Sequence, residues 1–274
     1  MNKFRFAVLC SGFLALLSSF AQAQPADAAP QWDVRVGGGF LYAPSFAGSK
    51  DYQLLLLPNI EIGYGDVFEA SVQRGLRYKI PLAGKLAFGP IAKLDFGRKE
   101  DGSRAFRVAG KRTTALLGMG DIGETIEVGG FLDFLHGPLT ASLELRHGVN
   151  GHKGLIGEAR INYTWRSSVQ RIGTILSFGP SLTFSNGKHA QAYFGVSAEQ
   201  SLGSGLPMFN AGAGINSYGI GSTAVFLFHP RLSATLLAGY DRLTGDAKRS
   251  PLVAERGSAN QVTAGLFLTY RLFQ

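Results

Sequence analysis

Five histidines and a modest set of carboxylates are the residues of this 274-residue chain that could do chemistry. His147 opens the segment His147-Gly148-Val149-Asn150-Gly151. A hydrolytic histidine needs a serine within hydrogen-bond reach and a third polar group to orient its ring. Val149 fills the middle of the segment, and the next serines, Ser167 and Ser168, fall at the far end of the following predicted strand. Asn150-Gly151 reads instead as a tight hairpin turn. Asp133 and His136 have the residue types of an acid–base pair, yet they sit at a predicted short turn where no substrate pocket is expected. His152 and His189 are single residues in predicted outer loops, and no group has zinc-ligand spacing. Gly118-x-Gly120-x-x-Gly123 matches a dinucleotide fingerprint in letters only, because no βαβ unit surrounds it. The expectation is no catalytic residue, no metal and no cofactor.

The basic side chains are the other candidates. Arg98, Lys99, Arg104, Arg107, Lys111 and Arg112 crowd one predicted loop, and Lys248, Arg249 and Arg256 another. The formal charge is +8, or +6 once Lys3 and Arg5 of the leader are set aside. Nucleic acid is the reflex partner of a basic chain, but the leader argues for export and against it. Solvated loop charge and contacts with lipopolysaccharide phosphates are the two readings of the first cluster.

What must position these residues is a sheet. Along Asn260–Phe273, Val262, Ala264, Leu266, Leu268, Tyr270 and Leu272 share one face, and Thr263, Gly265, Phe267, Thr269 and Arg271 the other. Aliphatic and aromatic groups outside with small or polar groups inside fit a wall between lipid and a wet lumen. Gly265, Leu268, Tyr270 and the near-terminal Phe273 match the terminal signal read by the barrel-assembly machinery, although Gln274 follows Phe273 and Phe273 is out of phase.

The N-terminus fits that route. Lys3 and Arg5 precede the apolar run Ala7–Leu17, and Ala21-Gln22-Ala23 supplies a small-x-small cleavage site. Residues 1–23 are therefore expected to be a cleaved signal peptide, 24–31 a loose lead-in and 32–274 the barrel. The lone cysteine, Cys10, lies in the leader, so no disulfide framework is expected in the exported chain. Charged residues are 17% of the chain and glycine accounts for 37 positions, a low-charge, glycine-rich composition by the standards of soluble domains.

Period-two segments separated by turn residues predict thirteen strands. They are Trp32–Tyr42, Gln53–Gly63, Val67–Ile80, Leu86–Phe96, Thr125–Leu135, Leu139–His147 and Leu155–Trp165, then Ile172–Phe184, Ala190–Val196, Met208–Tyr218, Thr223–Phe228, Leu232–Leu243 and Asn260–Phe273. Bacterial barrels use even numbers. The fold class expected is an all-β, transmembrane, antiparallel up-and-down barrel of about twelve strands, with ten or fourteen as the alternatives. Gly63–Asp66, His136–Pro138 and His229-Pro230 read as periplasmic turns, and Ala43–Tyr52, Gly97–Glu124 and Thr244–Ala259 as outer loops. Arg166–Arg171 and Ala198–Pro207 are placed on the periplasmic side.

Three ordered stretches carry a resemblance. Ala43-Pro44-Ser45-Phe46-Ala47-Gly48-Ser49 is the first. Tyr193-Phe194-Gly195-Val196, with Ser204-Gly205-Leu206-Pro207 and Ala211–Gly214, is the second. Tyr240-Asp241-Arg242-Leu243-Thr244-Gly245-Asp246-Ala247 running into Ser250-Pro251 is the third. Together they resemble the MipA/OmpV family of outer-membrane proteins, named after a murein-hydrolase interacting protein. Pro44 and Gly48 read as stiffening and turning the first outer loop. Ser49 lies in the same motif. Gly195 and Gly205 suit bends, and Arg242, Asp246 and Arg249 an ion-pair cluster. The resemblance implies a non-enzymatic scaffold in the outer membrane that docks a lytic transglycosylase and a murein synthase. A small-solute pore and a surface adhesin are the alternatives.

Overall fold

A computed structural model describes residues 31–169 and 172–273. The predicted signal peptide, most of the lead-in, Arg171 and Gln274 lie outside the described residues. The strands are β1 (Trp32–Pro44), β2 (Tyr52–Tyr64), β3 (Phe68–Ser71), β4 (Gly75–Tyr78), β5 (Ile80–Leu82), β6 (Leu86–Asp95) and β7 (Arg107–Gly110), followed by β8 (Thr125–His136), β9 (Leu139–Gly148), β10 (Leu155–Val169), β11 (Ile172–Ser185), β12 (Gly214–His229), β13 (Leu232–Leu243) and β14 (Asn260–Phe273). Four short helices join them: α1 (Gly187–Phe194), α2 (Ala198–Ser204), α3 (Gly245–Arg249) and α4 (Pro251–Ala254).

Every strand pairing is antiparallel, and β1 closes the ring by pairing with both β14 and β2: Val36 lies opposite Tyr270 on one side and Ile60 on the other. With β4 and β5 forming one interrupted strand against β6, and β7 belonging to a loop, the wall has twelve strands. The expected count holds, by three changes to the raw list. Val67–Ile80 is two strands, split at a turn before Gly75, whose φ is +75°. Met208–Tyr218 and Thr223–Phe228 merge into the single strand β12, which starts only at Gly214.

The third change is a correction of type. Ala190–Val196 is not a strand: most of it is α1. The Asn186 side chain accepts the His189 N–H and caps the helix. Ala190, Tyr193 and Phe194 then fall on one helical face and are buried, a spacing of three and four that outweighs local alternation.

Alternation along the spanning strands sorts lipid from lumen. Leu56, Ile60, Leu132, Leu143, Ile161, Ile220, Leu236, Leu266 and Leu268 are exposed on the outer face. Aromatic groups ring both ends of this apolar band, as membrane interfaces favour. Tyr42 stacks on Tyr52 at 4.9 Å near one end, and Trp32 packs on Tyr64 at 4.9 Å near the other.

The two ends differ. One carries short connections after Tyr64, His136 and His229. The other carries the long connections and all four helices, forming a cap. Ala198–Pro207 lies at the cap end, opposite to its expected side, because β11 runs toward the cap and β12 returns from it.

The wall is also uneven in height. The β3–β4 hairpin has only four residues per strand. Above it, β7 from the loop between β6 and β8 pairs with β2, placing Gly110 opposite Gln53 and Ala109 opposite Leu54. No hydrogen-bonded pairing joins β7 to β6 among the described residues.

Candidate functional site: the capped lumen

The lumen is lined in two ways. On the wall from β1 and β2 through β13 and β14, Leu41, Ala43, Leu55, Leu57, Leu237 and Phe267 form a buried apolar cluster. On the wall from β4 to β10, charged side chains project inward. Arg77 pairs with Asp133 at 2.9 Å and lies over the Phe131 ring at 3.8 Å. Lys93 meets Glu144 at 2.7 Å, and Arg146 meets Glu127 at 2.9 Å and also pairs with Glu144. Arg160 pairs with Glu158.

Strand register explains the density. Glu144 stands directly opposite Glu158 across β9 and β10, a like-charge arrangement that is unfavourable alone. Lys93 and Arg146 reach both carboxylates and offset it. Ions this deeply buried cost several kcal/mol each to desolvate, and only full pairing offsets that cost.

At the cap end, α1 sits over the lumen mouth. Its Tyr193 hydroxyl donates to the Asp95 carboxylate at the top of β6. Beside it, the His152 ring Nε2 lies 3.0 Å from Glu127. His189 stacks on Tyr193 at 4.7 Å and stands edge-on to His152 at 4.8 Å. Burial, with His152 adding to it, pushes the His189 ionisation down to about 3, so its ring is neutral. Burial, then Asp95, holds the Tyr193 hydroxyl well above its usual range. His152 and His189, read from the sequence as single outer-loop residues, are buried together because α1 carries one over the other. Nothing in the chain's local pattern announces this, since Asp95, Glu127 and His152 come from separate segments.

Asp95, Glu127 and His152 place ligand-type atoms within 4.8 Å of one another. Their hydrogen bonds do not suit a metal ion. The Gly154 N–H donates to His152 Nδ1 at 3.0 Å, which leaves Nε2 as the protonated nitrogen facing Glu127. A metal-bound histidine needs the reverse arrangement. Asp95 accepts from Tyr193 and from the Gly97 N–H, and Glu127 from Arg146. Asp95, Glu127 and His152 form a satisfied hydrogen-bond network beneath α1.

His147 is exposed on the outer face, and Ser167 lies toward the other end of β10. Asn150 accepts the Ile126 N–H at 2.7 Å, as a turn residue. Of the six loop cations, Arg98 is corrected outright. It is 4% exposed, because its guanidinium Nη1 donates to the Tyr193 carbonyl at the end of α1, 2.8 Å away. Burial alone lowers its ionisation to about 10. Lys99 pairs with Asp121 at 2.8 Å, Arg104 donates to the Pro44 carbonyl, and Arg107 donates to the Gly110 carbonyl within β7. Lys111 and Arg112 are exposed.

The motif residues converge on the cap. Pro44 ends β1, and Gly48, with φ +95°, donates its N–H to the Gln261 side chain. The Ser49 and Ser45 hydroxyls are 2.7 Å apart. Gly195 ends α1, and Gly205, with φ +76°, ends α2. The Tyr240 hydroxyl donates to Asn260, and Leu243 packs in the cap cluster with Tyr193, Phe194 and Val253. Gly245, with φ +53°, starts α3. Asp246 pairs with Arg249 and accepts the Gly212 N–H, while Arg242 donates to Asn260 instead of joining them. Ser250 donates to the Phe194 carbonyl at 2.6 Å, and buried Pro251 starts α4. On β14, Leu268 and Tyr270 are exposed on the outer face, Phe273 is exposed at the strand end, and Gly265 faces inward.

The family model of the MltA-interacting protein MipA matches residues 36–272. The chain belongs to the MipA family. No curated protein matches the chain. Among solved structures, it is similar to the outer membrane protein OprD from Pseudomonas aeruginosa, with 14% identity and a TM-score of 0.33. That match covers 85% of this chain and 62% of OprD, so the chain spans less than two thirds of that protein's length. A bacterial polysaccharide outer membrane secretin matches with 8% identity and a TM-score of 0.43, over 90% of this chain and all of that one. A loop-deleted OmpT, an outer membrane protein of Vibrio cholerae, matches with 8% identity and a TM-score of 0.33, over 89% and 99%.

Proposed function

We propose that this MipA-family barrel is a non-enzymatic scaffold of the outer membrane that presents its short-turn end to the periplasm. The observation that carries the reading is the closed lumen: one mouth is covered by α1 and its apolar cluster, and the interior is occupied by ion pairs. Such an interior suits a rigid support better than a conduit. The family name supplies the partner, the lytic transglycosylase MltA; a murein synthase would complete the pairing.

With Ala198–Pro207 at the cap, the docking surface falls to the short turns. Lys85, Arg166 and Arg231 are exposed there and give the rim a positive bias, which favours an acidic partner face. The long-loop end would meet lipopolysaccharide, through Lys99, Lys111 and Arg112 rather than Arg98.

Cross-linking in intact cells, with mass spectrometry of the captured proteins, tests the reading. Recovery of a lytic transglycosylase that falls when Lys85 and Arg231 are both changed to Glu supports it. Stable single-channel conductance steps, with no murein enzyme recovered, would replace the scaffold with a pore.

A further inference from the structure

The protein follows one rule for its buried guanidinium groups and departs from it once. Arg77, Arg146 and Arg160 each face a carboxylate of the barrel wall: Asp133, Glu127 and Glu158 respectively. Arg98 is as deeply buried as these, yet no carboxylate pairs with it among the described residues. The one hydrogen bond of its side chain among the described residues uses Nη1, on the carbonyl of Tyr193. Nε and Nη2 are buried and reach no acceptor.

Those two atoms form the side edge of the guanidinium, whose parallel N–H groups match two oxygens on one carbon or phosphorus. The end of α1 accounts for part of the charge, since a cation is favoured beside the last carbonyls of a helix. It does not account for the unused edge. Ser250 already serves the next carbonyl, that of Phe194, from the opposite loop. The local frame is firm. Arg98 is held by paired backbone hydrogen bonds to Ile122, of 3.0 and 2.9 Å, and Ile122, Tyr193 and Phe194 belong to one buried apolar cluster.

We propose that Arg98 anchors a buried oxyanion site beneath the cap, taking one carboxylate or phosphate group of a small ligand on its Nε–Nη2 edge. The missing partner of the fourth buried guanidinium comes from outside the chain. Its burial selects a small free anion over a lipid headgroup, and exchange requires the cap to loosen, so binding is slow and saturable. The inference does not rest on the scaffold reading.

The test uses the full-length chain refolded in detergent with chloride as the sole anion. Thermal unfolding is followed as acetate or inorganic phosphate replaces chloride at constant ionic strength. Expected is a saturable rise in the midpoint with at least one probe. Arg98→Met should abolish the rise, and Arg98→Lys, which keeps the charge but loses the fork, should weaken binding at least tenfold. No saturable rise above the chloride baseline with either probe, or an equal rise in Arg98→Met, overturns the proposal; a buried water would then serve the two donors. Should Arg98→Met fail to fold, equilibrium dialysis of radiolabelled acetate and of radiolabelled phosphate against the unmodified protein decides. Saturable retention of either anion that the other competes away supports the site, and no retention of either removes it.

Discussion

The two halves of the lumen solve the same filling problem with opposite chemistry. Around Phe267 the wall is apolar, and inward glycines let neighbouring strands crowd: a Cβ at Gly37 would collide with the Leu268 carbonyl oxygen. Around Arg146 the wall is ionic, and Arg146 and Lys93 are each shared among carboxylates from adjacent strands. Apolar packing is additive and forgiving, because a lost methylene removes only its own contacts. An ionic wall is collective, because one lost charge strands several others.

The largest expected effect therefore belongs to the ionic half. Arg146→Met leaves Glu127, Glu144 and Glu158 short of a counter-charge and should cost about 3–5 kcal/mol in urea unfolding of the detergent-folded barrel. Adding Glu144→Gln to that variant should recover part of the loss, a coupling that a double-mutant cycle reads. In the apolar half, Phe267→Ala should cost about 3 kcal/mol, and Phe267→Leu clearly less. Equal recovery by conservative swaps in both halves would erase the distinction.

The smallest effect compares the cap with the wall. His189 ionises at about 3 in the folded cap against an ordinary 6.5. Between those values the unfolded chain binds more protons, so this contribution to stability is intact above 6.5 and falls with acid. The loss is about 1 kcal/mol between pH 6.5 and 5.5. His189→Phe keeps the stacking on Tyr193 and should flatten cap stability over that window, as read by amide exchange of residues 187–194. An unchanged slope would assign the acid sensitivity to the wall.

The barrel was legible because alternation is local. Val262 to Leu272 and Thr263 to Arg271 sort onto outer and inner faces by counting alone, and the observed burial follows. The cap was not legible on the same terms. Ala190–Val196 alternates well enough to pass for a strand, and only the Asn186 cap and the Ala190–Tyr193–Phe194 spacing distinguish it. The polar network was invisible for a different reason. Asp95, Glu127 and His152 meet through the register of β6, β8 and the loop after β9, and register depends on turns that composition does not specify. Arg98 looked like its loop neighbours Lys99 and Arg104, since burial of a loop cation depends on what folds over it.

The short β3–β4 hairpin changes what the loop above it is. Where the other strands continue, the wall here is finished by β7, borrowed from the long connection between β6 and β8. Trimming that connection, say residues 98 to 112, would remove masonry rather than ornament, taking out the patch that meets Gln53 and Leu54. The backbone of Gln53, Leu54 and Leu55 would lose its partners on that edge. A surface-loop deletion designed to test adhesion would thus report on the integrity of the wall.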